Sequence, residues 1–249
     1  MKRYFSVLFF SLCISGATFA QGFSAENILK NMSISWGIHQ DIWKGVPDSI
    51  IQRGVQQGAN FYINYNFNMT QSGSLRFFVG LGFDFHNFYV KNALLGRGDD
   101  NLYHKQLDKE NKYSSYFYNI PKTYSNYEFK KSKLAITYLD IPFGFKYTAP
   151  NGIVANAGFK VGWRISSHTK YKGTDFDIPY INDNQMKEEI VIEKKARLQN
   201  LQSMHYGPFL EVGYKWVMAT ASYQITPLFE KNYGPQIYPI SVGVTFRPF

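Results

Sequence analysis

The stretch Asn60-Phe61-Tyr62-Ile63-Asn64-Tyr65-Asn66-Phe67-Asn68-Met69 decides the fold. Phe61, Ile63, Tyr65, Phe67 and Met69 share one parity; Asn60, Tyr62, Asn64, Asn66 and Asn68 share the other. Successive side chains of a strand point to opposite faces, so this segment reads as a β-strand with one greasy face and one amide-rich face.

The same period recurs on both sides of it. Upstream, Met32, Ile34, Trp36 and Ile38 alternate with Ser33, Ser35, Gly37 and His39. Downstream, Leu75 to Phe85 sets bulky apolar residues against Arg76, Phe78, Gly80, Gly82, Asp84 and His86. Leu139 to Tyr147 stands against Tyr138, Asp140, Pro142, Gly144 and Lys146, and Ile153 to Ile165 against Asn156, Gly158, Lys160, Gly162, Arg164 and Ser166. Three more follow: Tyr206 to Tyr214 against His205, Gly207, Glu211, Gly213 and Lys215; Val217 to Ile225 against Met218, Thr220, Ser222 and Gln224; and Ile240 to Phe246 against Ser241, Gly243, Thr245 and Arg247. Eight segments of about ten residues match strands tilted across a bilayer.

Connection lengths set the architecture. Gln71-Ser72-Gly73, Ala149-Pro150-Asn151-Gly152 and the region of Lys215-Trp216 read as tight turns, while Lys44 to Gln57, Lys91 to Lys133, His168 to Met204 and Thr226 to Ile237 are long. Putting every short connection at one end is the habit of membrane barrels, with short periplasmic turns and long extracellular loops. The expected fold is therefore all-β, an eight-stranded antiparallel up-and-down transmembrane β-barrel with both termini on the periplasmic side. A soluble lipocalin-like barrel or a sandwich would place the apolar face inside. The polar face mixes Gly with charged residues, which suits a narrow interior that side chains must fill. The Phe, Leu, Ile and Trp of the other face suit lipid.

The N-terminus agrees. Lys2 and Arg3 precede an apolar stretch from Tyr4 to Ile14, and Ala17-Thr18-Phe19-Ala20 precedes Gln21. This reads as a signal peptide over residues 1–20, cut between Ala20 and Gln21, with residues 21–249 as one barrel domain and no second domain or repeat. Leu12 before Cys13 argues against a lipoprotein. Cleavage takes the formal charge from +9 to +7 by removing Lys2 and Arg3, and it removes the only cysteine, so no disulfide or thiolate metal site is expected. An exported chain has no nucleic-acid partner in prospect; lipid is the first one.

On this assignment the lumen holds Arg76, Lys146, Lys160, Arg164, Lys215 and Arg247 with Asp84, Asp140 and Glu211. Charges in so narrow a space must pair or meet trapped water, and the expectation is a plug rather than a conducting pore. Chemistry is harder to find. His39, His86, His104, His168 and His205 are the histidines, and Ser166 and Ser167 beside His168 evoke a lipid hydrolase, but neighbouring strand residues point to opposite faces. There is no metal, nucleotide or nucleophile motif, and Asp99-Asp100 or Asp175 with Asp177 lack the spacing of a calcium loop. No catalytic residue, metal or cofactor is expected.

Recognition falls to the long loops, residues 91–133 and 168–204, with a surface protein or a glycan as partner. Tyr103, Tyr113, Tyr116, Phe117, Tyr118, Tyr124 and Tyr127 stand among lysines in the first, a composition suited to stacking and hydrogen bonding. The same tyrosines also suit an extended barrel wall or an interfacial belt. In the second, Glu193 and Arg197 have helical spacing, but an ascending strand fits equally.

Tyr138-Leu139-Asp140-Ile141-Pro142-Phe143-Gly144-Phe145-Lys146-Tyr147 resembles the Tyr-Leu-acidic-Ile-Pro strand of the outer-membrane β-barrel proteins of Bacteroidetes, the broad group that includes PorT-like proteins. The Gly158 to Trp163, Tyr206 to Tyr214 and Val242 to Phe249 stretches look like the same group. The resemblance covers the chain from about Asn31 onward. It implies an outer-membrane location and, for the PorT-like branch, a part in type IX protein secretion. The final residues are similar to the aromatic end read by the barrel-assembly machinery, with Phe246 and Phe249 as that signal, although Pro248 breaks the alternation between them.

Overall fold

The computed structural model describes residues 29–48, 50–91, 93–95, 117–119, 129–174, 190–196, 200–231 and 234–248. The signal-peptide residues, with Ala20 and Gln21, and Phe249 lie outside them, as do His104, the two aspartate pairs and all the loop tyrosines except Tyr118. Eleven strands are described: β1 Met32–Lys44, β2 Gln57–Asn68, β3 Leu75–Val90, β4 Ala93–Leu95, β5 Phe117–Asn119, β6 Phe129–Thr148, β7 Ile153–Thr174, β8 Ile190–Ala196, β9 Met204–Tyr214, β10 Val217–Tyr223 and β11 Tyr238–Phe246. Eight of them, β1, β2, β3, β6, β7, β9, β10 and β11, contain the eight alternating segments.

Each of the eight pairs antiparallel with its neighbours in chain order, and β1 closes on β11 from Trp36↔Phe246 to Lys44↔Tyr238. The result is a closed up-and-down barrel with no free edge, the one sheet form that satisfies its own backbone inside lipid. Three tight turns join strands at one end. Gly73 and Gly152 take positive φ there, and so does Lys215, the one non-glycine of the three. The long connections leave from the other end.

The apolar parity faces outward. Ile34, Trp36, Ile38 and Ile42 of β1, Leu81 and Phe83 of β3, Phe145 of β6 and Leu210 of β9 are exposed, Ile38 by 61%. The opposite parity, from Ser33 and Ser35 through His39 and Asp41, is buried inside. From Ile34 to Ile42 the outward band spans about 20 Å along the axis once strand rise and tilt are applied. An aromatic belt rims it at the tight-turn end: Trp36 stacks on Phe246 with ring centroids 4.5 Å apart, Phe77 meets Phe145 at 5.5 Å, and Trp216 lies 6.2 Å from Phe246. Such belts mark the membrane–water interface.

The long-loop end departs from the sequence reading. β6 begins at Phe129 and β7 runs on to Thr174, so parts of both expected loops continue the ladder. β8 pairs with β7 above β9, which makes Glu193 a strand residue. A bulge carries this change. Thr137 pairs with Ser166 but Tyr138 with Arg164, leaving Ile165 as the extra residue. Ile165 and Ser166 are both exposed, and from Ser167 the inward parity becomes odd, through Thr169 and Tyr171. One inserted residue reverses every later side chain. β4 and β5 pair with each other in a separate two-stranded sheet, with Leu94↔Tyr118 in register.

Candidate functional site

The interior is layered. At the long-loop end, Trp43, Ile50, Phe88, Leu134, Leu228 and Phe229 belong to one buried apolar cluster. It lies over the barrel mouth because β1, β3 and β6 bring these residues inward above their charged positions, while residues 228–229 come from the connection after β10. Tyr138 and Ile136 join it from below.

Beneath the lid lies an ionisable network. Lys160 Nζ donates to Asp84 Oδ2 at 2.6 Å, and the Tyr62 hydroxyl stands 3.3 Å from that oxygen and 3.2 Å from Asp140 Oδ2, donating to one of them. His205 Nε2 bonds Asp140 Oδ1 at 2.7 Å, while the Tyr138 ring lies tilted against its own with centroids 4.0 Å apart. Asp41 accepts from Ser241 Oγ at 2.6 Å and bonds His86 Nδ1 at 2.9 Å. His39 Nε2 lies 3.3 Å from Asp41 and 3.7 Å from Asp84. Asp41, Asp84, Asp140, His39, His86 and His205 are all buried.

Two glycines make this crowding feasible. His39 pairs in register with Gly58 on β2, and a Cβ at 58 would collide with the His39 ring. The imidazole lies over that gap and so reaches β3, two strands away. Gly162 serves Asp140 and His205 in the same way.

A lower layer completes the lumen. Glu211 accepts from Arg247 Nη2 at 2.9 Å and from Asn156 Nδ2 at 2.6 Å, and the Arg247 guanidinium stands 5.9 Å from the Phe78 ring. Between the layers is a cavity of about 40 Å³ touched by Tyr62, Lys160, Glu211 and Arg247. It has room for about three waters.

Of the nine charges assigned to the lumen, Asp84, Asp140, Lys160, Glu211 and Arg247 come together in these layers. Arg164 sits higher, donating to the carbonyls of Leu201 and Gln202 and to Ser167 Oγ. Arg76 lies at the turn end, with Nε on the Gly73 carbonyl, opposite the half-buried Lys146. Lys215 is the exception: it occupies the β9–β10 turn, exposed, with Nζ 5.3 Å from the Tyr214 ring. A two-residue turn points its side chains away from the bore, and the strand parity extrapolated into it misplaced this lysine. Ser167 Oγ is engaged by Arg164, while Ser166 is exposed on the outer wall. Phe246 faces outward in the aromatic belt.

Asp41, Tyr62, Asn156 and Ser241 are network members that no sequence motif marks. Their inward parity was available; their partners depend on cross-barrel register. Above the bulge the outer wall changes character. Lys131 and Lys133 approach the Tyr89 ring at 5.3 and 5.8 Å, and Arg53 approaches it at 5.8 Å. Lys133 Nζ also donates to Asn87 Oδ1 at 2.8 Å. A polar, cationic collar thus follows directly on the apolar jacket.

A closed barrel that is apolar outside, ionisable inside and rimmed by aromatics is a transmembrane β-barrel of the bacterial outer membrane. No protein-family model matches the sequence, and no curated protein matches it significantly. Among solved structures the chain is similar to Ail, the attachment invasion locus protein of Yersinia pestis, at 15% identity and a TM-score of 0.37, over 87% of this chain and 97% of that one. It is also similar to the N-terminal β-barrel domain of Pseudomonas aeruginosa OprF, at 11% identity and a TM-score of 0.34, over 87% and 97% of the two chains. Likeness at this level transfers no residue role.

Proposed function

We propose that the protein is a plugged outer-membrane barrel, neither a catalyst nor a conductor, that serves the envelope as a structural and surface-recognition component. The observation that carries this is the layered interior: an apolar cluster over a network of buried, paired charges, with a cavity of about 40 Å³ between its layers. Ion passage needs a continuous wet path, which such layers oppose. A hydrolase needs a free nucleophile beside its base, and the Arg164–Ser167 bond speaks against that use of Ser167. Recognition then belongs to the cationic collar around Tyr89 and to the segments 91–133 and 168–204, facing a surface protein or glycan. Outer-membrane lipid contacts the jacket, and the barrel-assembly machinery inserts the chain after cleavage between Ala20 and Gln21.

The test is electrical. Protein that shifts mobility on boiling, and is therefore folded, should give no stepwise current in planar bilayers; steady unitary conductance would reject the plug. The finer reading, PorT-like service in type IX secretion, is supported by the Tyr138 to Tyr147 strand. It predicts loss of secreted cargo in a deletion strain, and unchanged secretion would remove it.

A further inference from the structure

We propose that His39, Asp84 and His86 form a binding site for a divalent transition-metal ion, zinc by preference, inside the barrel. Three buried atoms have no hydrogen bond: His39 Nε2, His86 Nε2 and Asp84 Oδ1. All three residues are more than nine-tenths buried. Unmade hydrogen bonds at this depth are costly and call for an explanation. These same residues bring one donor atom each to within 4.8 Å of the others.

The two histidine–aspartate spacings match those between metal ligands. His86 Nε2 and His39 Nε2 stand 3.4 and 3.7 Å from Asp84 Oδ1. A charge-assisted hydrogen bond closes to about 2.7–2.9 Å. Tetrahedral ligands at zinc distances of about 2.0–2.1 Å stand about 3.4 Å from one another. Two imidazoles and one carboxylate are a familiar donor set for such an ion, with further positions left open.

The surroundings are those of a built site. His86 Nδ1 is held by Asp41 Oδ2 at 2.9 Å, and Asp41 is itself fixed by Ser241. With one proton on Nδ1, a metal ion would take the place of the second imidazole proton, between Nε2 and Asp84 Oδ1. This is the carboxylate–histidine–metal arrangement that orients a ligand and raises its basicity. Lys160 takes the other oxygen, Asp84 Oδ2, which leaves Oδ1 as a single donor. Gly58 provides the space His39 occupies, and Trp43 and Tyr138 flank the His86 ring at 6.5 and 5.8 Å, keeping the site dry. Asp41 is a positioning residue here, acting through His86.

The experiment uses untagged mature protein, refolded into detergent micelles after chelation, with cobalt(II) added during refolding and zinc as competitor. One equivalent per barrel should give visible d–d absorption that zinc abolishes. His39→Gln and His86→Gln should each lose the signal while keeping the mobility shift on boiling, and Asp41→Asn should weaken binding by about 10–100-fold. A variant-free measurement stands beside these: cobalt should broaden the ring NMR signals of His39 and His86 and spare that of His168. Folded wild type that takes up no cobalt, full binding in both glutamine variants, or broadening confined to His168 would overturn the proposal.

Discussion

Lys160 reaches Asp84 across the lumen, and both side chains are buried. In that setting the pair is worth less than the damage of breaking it. Removing one partner strands a charge without solvent, whereas removing both leaves two neutral groups. Lys160→Met should therefore lower unfolding stability by about 3–5 kcal/mol, and Lys160→Met with Asp84→Asn should recover most of it. Urea titrations of the micelle-embedded barrel, run in chelator, would read both; a double variant no better than the single would mean that packing, not charge, is at stake. The sequence shows that His39, Asp84 and Lys160 share the inward face, because parity alone requires it. What it hides is convergence. His39 and Asp84 belong to strands separated by β2 and meet only because Gly58 lies opposite His39 and Asn60 opposite Asp84. A one-residue slip would abolish the meeting while leaving each strand's pattern unchanged.

At the level of elements, the eight spans and three tight turns could be read from the chain because lipid demands long, unbroken alternation and turns demand Gly or its stand-ins. The upper ends could not. Above the jacket the outer wall meets water, so polar residues such as Lys131 and Lys133 become acceptable outside and apolar ones such as Leu134 and Ile136 turn inward. The contrast that defined the faces is inverted there, and the bulge at Ile165 reverses the parity of β7 at the same height. Deleting Ile165 should remove the bulge yet leave every side chain above it facing as before, Tyr171 inward and Lys170 and Lys172 outward, because Ser166 then follows Arg164 in regular alternation. No ammonium is buried by the deletion, so the variant should assemble, with most of it showing a mobility shift on boiling. Failed assembly would mean that the extra residue is itself needed, for the local bend and twist it gives the wall.

For the molecule as a whole, the inside-out arrangement is the property on which the rest depends. A soluble barrel of the same topology would hide Ile34, Ile63 and Leu81 in its core; here all three face out and Asp84 and Asp140 are sealed within. That difference predicts how the surface responds to charge. Leu81 lies midway along the outward run of β3 from Phe77 to Phe85, so it sits near the bilayer midplane. Leu81→Arg should cost about 2–4 kcal/mol in a bilayer, the depth-dependent penalty of a cation on a barrel's lipid face. The same arginine at Lys133, on the collar, should cost almost nothing, since that position already carries a cation at the rim. Stability measured in vesicles for both variants separates the membrane barrel from every soluble alternative. A soluble barrel turned outside in would tolerate Leu81→Arg as an ordinary surface change, and a bilayer barrel cannot.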